Sequence, residues 1–394
     1  MNILIVKLSA IGDVVHCLPL AAKLKEVFAG CRLSWLVEPA AADLLRDNGC
    51  VDEVIEFSKK RWLDGIKDPA RIISTLGAIK KYVSLLRGRH FDLAIDAQGL
   101  LKSGLLTWAS GAPVRIGLST AREGASLFYT DKLDSIGYRD NKMHVVDWNL
   151  ALGKLAAQKF GKGWEISPVR FPLPRPTDDS LTRVGALLSG AGGGSTAPDL
   201  MMEGSGAKAP WSEGQAPLIV VIPGTTWSTK IWPQESWASL CRDLLKRYKA
   251  HLVIVGGPKE AEDNARLVQS IYSMSSGDIK EGTAGRVSDL TGKTGLIDLI
   301  ALFGKAEAVI GLDTGPMHLA VAVQRPLVAA IHGASPWHRN GPYGHLGKAI
   351  HLDLDCQPCF DKHCRLKTIA CLKDLSAGKV FQELIEFWDP VLIR

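Results

Sequence analysis

A chain of 394 residues is longer than one hydrophobic core usually serves, so two domains are expected. Hydrophobic residues make up 46% and charged residues 22%, an ordinary globular composition that sets aside disordered and fibrous classes. The formal net charge of +6 permits phosphates, nucleic acid or an acidic membrane face as partners and selects none of them.

Met1 leads straight into the apolar run 3–6, with no basic stretch and no cleavage site, so a signal peptide is not expected. Apolar runs such as 308–312 and 326–331 are far shorter than a membrane span. A cytosolic protein is expected, with attachment to a membrane surface left open.

In chain order, the apolar runs 3–6, 33–37, 54–57, 93–96 and 114–117 read as strands, and 18–28, 70–87 and 100–108 carry helical spacing. Strands alternating with helices imply a parallel sheet with right-handed crossovers. The first strand runs into Lys7-Leu-Ser-Ala-Ile-Gly-Asp13, a loop that opens a helix. A single Gly12 does not make a dinucleotide fingerprint. From its spacing Asp13 reads first as a capping carboxylate at the helix start, ahead of a catalytic one.

Residues 185–217 are Gly/Ser-rich without a period and read as a linker. The alternation then resumes, with strands over 218–222, 252–255, 309–312 and 327–331 and helices over 233–248, 260–272, 296–303 and 316–323. A last helix is read over 380–388, and whether it packs back across the first domain is left open. The resulting layout is a domain over 1–184, a linker over 185–217, a second domain over 218–378 and a C-terminal helix within 379–394. Two α/β lobes on one linker are expected to face each other across a cleft at the carboxyl ends of their strands.

Two further loops follow strands. In Pro223-Gly-Thr-Thr-Trp-Ser-Thr-Lys230, Gly224 lets backbone approach a ligand, Thr225 and Thr226 offer hydroxyls, and Lys230 offers a cation, a set that suits a pyrophosphate. In Asp313-Thr-Gly-Pro-Met-His318, the amides of Thr314 and Gly315 open a helix toward an anion, and His318 in its first turn is placed to reach a phosphate. Gly292-Lys-Thr294 is not a P-loop, because Val287 stands where its first glycine belongs. Asp353 and Asp355 alternate with Leu352 and Leu354 in what reads as an exposed strand rather than a metal-binding pair.

The chain has eight cysteines. Cys356, Cys359, Cys364 and Cys371 are clustered, and four thiols in a cytosolic chain favour a structural zinc over disulfides.

The opening stretch 3–16 (ILIVKLSAIGDVVH), the stretch 223–233 with its Pro-Gly-Thr-Thr and Lys-Ile-Trp-Pro, and 311–318 (GLDTGPMH) resemble the bacterial lipopolysaccharide heptosyltransferases, glycosyltransferase family 9. Residues 92–103 and 120–129 look most like heptosyltransferase I. The resemblance implies a GT-B fold, two Rossmann-like domains facing across a cleft. It implies an inverting enzyme that moves heptose from ADP-L-glycero-D-manno-heptose to Kdo of lipid A, with no cofactor for catalysis. Asp13 matches the general base. Thr225, Thr226, Lys230, Glu260, Asp313, Thr314, Gly315 and His318 match positions that hold the nucleotide-sugar, with Lys230 also assisting catalysis.

Lys7, Lys60, Arg61, Lys102 and Arg122 would face the acceptor. The partners implied are the donor, Kdo-lipid A and the anionic inner-membrane surface, not nucleic acid, with the protein peripheral on the cytoplasmic face. Alternatives are heptosyltransferase II-like transfer to heptosylated core, a nucleotide-sugar epimerase, or a non-catalytic nucleotide-binding protein.

Overall fold

The computed structural model describes residues 1–134, 143–189, 216–273 and 286–393, and the side chains of residues 60, 61 and 63 lie outside that description. The chain divides into two units, Met1–Arg175 and Pro176–Arg394.

In the first unit, β1 (Asn2–Val6), β2 (Arg32–Val37), β3 (Glu53–Glu56), β4 (Leu93–Asp96), β5 (Val114–Leu118) and β6 (Asp131–Leu133) form a sheet in the order β3-β2-β1-β4-β5-β6. All its pairings are parallel, with Ile3 opposite both Leu33 and Leu93. Ile3, Leu4, Ile5 and Val6 are fully buried, which is why β1 reads as a continuous apolar run rather than an alternating one.

The helix after β1 spans Ile11–Val27, so it begins at the loop where Asp13 was read as a capping carboxylate, ahead of the helical spacing over 18–28. Pro19 lies inside it. The true start lies where Asp13 accepts the Ala10 amide at 3.0 Å. This helix packs on the helix Val145–Lys159, where the Asn149 side chain donates to the carbonyl of His16 at 3.0 Å. Neither β6 nor Val145–Lys159 was foreseen from the periodicity.

In the second unit, β7 (Leu218–Ile222), β8 (His251–Ile254), β9 (Arg286–Asp289), β10 (Ala308–Leu312), β11 (Leu327–Ile331) and β12 (Gly347–Ile350) form a second parallel sheet, in the order β12-β11-β10-β7-β8-β9. Counted from β7, this is the same strand order as in the first unit. Each unit is therefore a Rossmann-like sheet whose order reverses beside its first strand, and ligands of such sheets bind at the carboxyl ends of the strands flanking that reversal. Those strands are β1 and β4 in one unit and β7 and β10 in the other.

Three placements are decided by the structure. The helix Asp178–Ser189 belongs to the second unit, not to a first domain ending at residue 184: it packs on the helix Leu296–Lys305, and Arg183 donates to Asp298 at 2.9 Å. For the terminal helix Ala377–Leu392, left open between the two units, the structure gives the answer. That helix buries Val380, Leu384 and Trp388 in the second unit's own core, and the Tyr248 hydroxyl donates to Asp389 at 2.6 Å. Residues 351–354 are irregular chain after β12, not a strand. Of the Gly/Ser-rich stretch, residues 190–215 lie outside the described residues, and 216–217 lead into β7.

Candidate active site

At the β1–β4 end of the first unit, two loops are stitched together by side chains. Lys7 is nearly buried, its ammonium donating to the carbonyl of Ala97 at 2.8 Å and standing 3.9 Å from Asp13. The Gln98 carboxamide oxygen accepts the amides of Leu8 and Ser9 at 3.0 and 3.1 Å. Asp96, fully buried at the end of β4, accepts the amides of Gln98 and Gly99 at 2.9 Å and the Tyr129 hydroxyl at 2.7 Å. Burial raises the pKa of Asp96 and of Tyr129.

Asp13 stands out from this rigid base. One carboxylate oxygen caps Ala10, and the side chain remains 45% exposed. The capping and catalytic readings are thus compatible, since one oxygen is anchored and the carboxylate still reaches solvent.

The candidate acceptor cations are less uniform. Lys102 is bound to Glu38 at 2.8 Å and partly covered. Arg122 is exposed at the start of the turn Arg122–Phe128. Lys60 and Arg61 fall in the helix Lys59–Lys67, with their side chains outside the described residues. Gln98 and Glu38 were not singled out from sequence. The available signal for Gln98 was its place just after a buried strand at the sheet reversal.

At the β7–β10 end of the second unit, the Lys230 ammonium donates to Asp313 at 2.6 Å and lies 4.6 Å from the centre of the Trp227 ring. The other oxygen of Asp313 meets His318 Nε2 at 3.1 Å. Burial would raise the Asp313 pKa, but the His318 hydrogen bond and the charge of Lys230 outweigh it and hold the carboxyl well below the usual carboxylate range. His318 was expected to reach a phosphate. It is buried, with Nε2 against Asp313.

The helix Gly315–Ala322 starts right after β10, with Thr314 at its N-cap position making no side-chain cap, so the first amides of this helix are left for another partner. Thr225 and Thr226 lie on the loop after β7, Thr226 exposed. Glu260 accepts the Gly257 amide at 2.6 Å, and a Cβ placed on Gly224 would lie 1.9 Å from a Glu260 carboxylate oxygen. Glycine at 224 is what lets that carboxylate close onto the loop.

Behind this cluster His332 is fully buried, with Nδ1 3.2 Å from the Ser335 hydroxyl, and burial pushes its pKa down to about 4. Between pH ~6.5 and ~4 the unfolded chain binds a proton at this imidazole that the folded chain refuses. Stability should therefore fall as pH falls through that window, by at most about 1.4 kcal/mol per pH unit. His251, pushed down to about 4 by burial and Arg286, adds in the same direction. Urea unfolding of wild type and His332→Gln across this range checks it. The variant should show a shallower slope, and an identical slope counts against the assignment.

The four clustered cysteines line one pocket, with Thr229 in its wall. Among the described residues no three His, Cys, Asp or Glu side chains converge closely enough to hold an ion as they stand. Burial, followed by the proximity of Cys359, Cys356 and Cys364, raises the Cys371 thiol to about 11. Asp353 faces His351 at 3.3 Å.

The family model for glycosyltransferase family 9 (heptosyltransferase) matches residues 79–370. Lipopolysaccharide heptosyltransferase 1 of Pseudomonas aeruginosa is 27% identical over 368 residues, covering 92% of this chain and 87% of that protein. The solved E. coli heptosyltransferase WaaC with ADP aligns with a TM-score of 0.70 at 23% identity, covering 98% of this chain and 100% of that one. WaaC with ADP-2-deoxy-2-fluoro heptose aligns at 0.68 and 24%, covering 98% and 99%. These solved structures share the GT-B fold found here in two Rossmann-like units.

Proposed function

Since the chain belongs to glycosyltransferase family 9, the heptosyltransferases, we propose that it moves heptose from ADP-L-glycero-D-manno-heptose to Kdo of lipid A in inner-core lipopolysaccharide synthesis. The observation that carries this reading is the Lys230–Asp313–His318 group at the sheet reversal, beside the first amides of the Gly315–Ala322 helix. It is built to hold a diphosphate, the part of the donor that leaves.

An acceptor hydroxyl attacks the anomeric carbon on the face opposite ADP, and the configuration inverts. Asp13 takes the hydroxyl proton as the new bond forms. Negative charge grows on the departing ADP, and Lys230 together with the amides of Thr314 and Gly315 receives it. Lys230 supplies the charge that a metal ion would bring, so the reading needs no catalytic metal. Asp313 and His318 position Lys230, while Thr225, Thr226 and Glu260 hold the nucleotide. On the acceptor side, Lys7 braces the Asp13 loop. Lys102, Arg122, Lys60 and Arg61 complement the acidic acceptor, with Glu38 setting the orientation of Lys102.

Among the described residues no helix is long and apolar enough to cross a membrane. The same proposal places the protein on the cytoplasmic face of the inner membrane, held by its lipid-linked substrate and by anionic headgroups.

Incubation with ADP-heptose and either Kdo-lipid A or heptosylated core, read by mass spectrometry, tests the assignment. Transfer of one heptose to Kdo-lipid A with release of ADP is expected. Transfer confined to heptosylated core would overturn the acceptor assignment, and conversion of ADP-heptose without any acceptor would favour an epimerase.

A further inference from the structure

Cys356, Cys359 and Cys364 lie in irregular chain after β12 and Cys371 in the short helix Ala370–Lys373, yet all four line the same pocket. Two observations set this stretch apart from a loop that merely contains thiols. The stretch is pinned at both ends of the cluster: the Gln357 side chain donates to the Gly333 carbonyl at 3.0 Å and the Lys367 amide donates to the Cys364 carbonyl at 3.1 Å. Phe360, Lys367 and Ile369, none of them glycine, sit in the left-handed region at φ 59°, 58° and 53°. Side chains held there persist only where the surroundings over-determine the backbone, and such positions gather at functional sites.

We propose that these four cysteines bind one transition-metal ion, zinc or iron, through four sulfurs, and that the bound ion braces the loop that carries Lys230. Four thiols give up four protons to solvent as four sulfur lone pairs bind the ion. Thiolate ligands select these borderline metals over magnesium or calcium, which require oxygen donors. Gathering the sulfurs asks for rotation of cysteine side chains into the pocket they already line.

The link to the loop is short and specific. Asp361 and Lys362 lie between Cys359 and Cys364, and their carbonyls accept the hydroxyls of Thr229 at 2.7 Å and Ser228 at 3.2 Å. Lys362 and Lys230 both lie over the Trp227 ring, at 5.2 and 4.6 Å. The Phe360 amide, in turn, donates to the Ala334 carbonyl at 2.9 Å. An ion holding Cys359 and Cys364 thus fixes the two carbonyls against which the Lys230 turn is hung.

The metal assignment is independent of the donor reading, and the bracing role rests on it. Elemental analysis of full-length protein purified under reducing conditions should find about one zinc or iron per chain. Visible absorption separates iron, which colours a tetrathiolate site, from colourless zinc. Cys364→Ser should lose the metal and Cys50→Ser, in the first unit, should keep it. Wild type that stays well below one equivalent after incubation with zinc and with ferrous iron would overturn the site, as would full metal content in Cys364→Ser.

Stripping the ion with a chelator should weaken ADP binding by about 5- to 30-fold, the effect of loosening one or two hydrogen bonds. Unchanged ADP affinity would overturn the bracing role. Failure of the metal-loaded protein to bind ADP would instead count against the donor reading and leave the metal content standing.

Discussion

Replacing Asp13 with alanine should lower turnover by about 10²–10⁴-fold, the range that general-base assistance supplies, while ADP still binds. The acceptor hydroxyl is a poor nucleophile at neutral pH, and Asp13 is the carboxylate that stands exposed at the mouth of the β1 loop. The alanine variant removes two things at once, because the same carboxylate caps the Ala10 amide at 3.0 Å. Loss of a cap costs about 1 kcal/mol of stability.

Asp13→Asn separates the two roles. Its side-chain oxygen still accepts the Ala10 amide, and it has no basic oxygen to take a proton. The asparagine variant should melt near wild type and yet lose activity as the alanine variant does. Steady-state kinetics beside thermal melts reads both, and near-normal turnover in Asp13→Asn would refute the base assignment.

Lys230→Met should weaken ADP binding by roughly 10- to 150-fold, the effect of losing a charge-assisted hydrogen bond of about 1.5–3 kcal/mol. It should also destabilise the second unit by about 3–5 kcal/mol, because it leaves the carboxylate of Asp313 buried without its ammonium partner. That carboxylate is held ionised in the fold by its neighbours. Its stabilising contribution is present above the ordinary carboxylate pKa of about 3.9 and is lost as pH falls through the lower folded value. The variant should therefore also become more sensitive to neutral pH relative to acid, since protonating Asp313 relieves the unpaired charge.

The double variant Lys230→Met with Asp313→Asn tests the mechanism. It should recover much of the stability, because no charge is left stranded, and none of the ADP affinity. Recovery of ADP binding in the double variant would show that Lys230 serves the fold alone. Denaturant unfolding and calorimetric titration with ADP provide the two readings.

Most strands were legible because both sheets are parallel and covered on both faces, which writes each strand as an unbroken apolar run such as Ile3–Val6 or Ala308–Leu312. The elements that escaped have another physical character. β6, β9 and β12 are edge strands with half-buried residues. The first helix does begin at the loop that carries Asp13, ahead of the stretch 18–28 where its helical spacing is plain. The run after β12 alternates apolar and acidic residues as a strand does, yet irregular chain leads there toward the cysteines.

Within the candidate site, the residue types after each strand could be read directly, since Asp13, Lys230, Asp313 and His318 stand in short loops at strand ends. Their partners could not be. Lys230 and Asp313 are 83 positions apart, and Gln98 is 90 from Leu8, so these pairs exist only because β7 lies beside β10 and β1 beside β4.

By itself the sequence determined the local matters: parallel strands from unbroken apolar runs, loops rich in anion-binding groups at their ends, and four cysteines in one stretch. Tertiary structure alone decided that His318 turns onto Asp313, that Lys102 is held by Glu38, that the terminal helix closes the second unit's own core, and that the cysteine stretch supports the Lys230 turn. Propensity and periodicity act over a few residues along the chain, whereas a hydrogen-bond partner or a burial site is chosen by whichever distant segment the sheet order brings alongside.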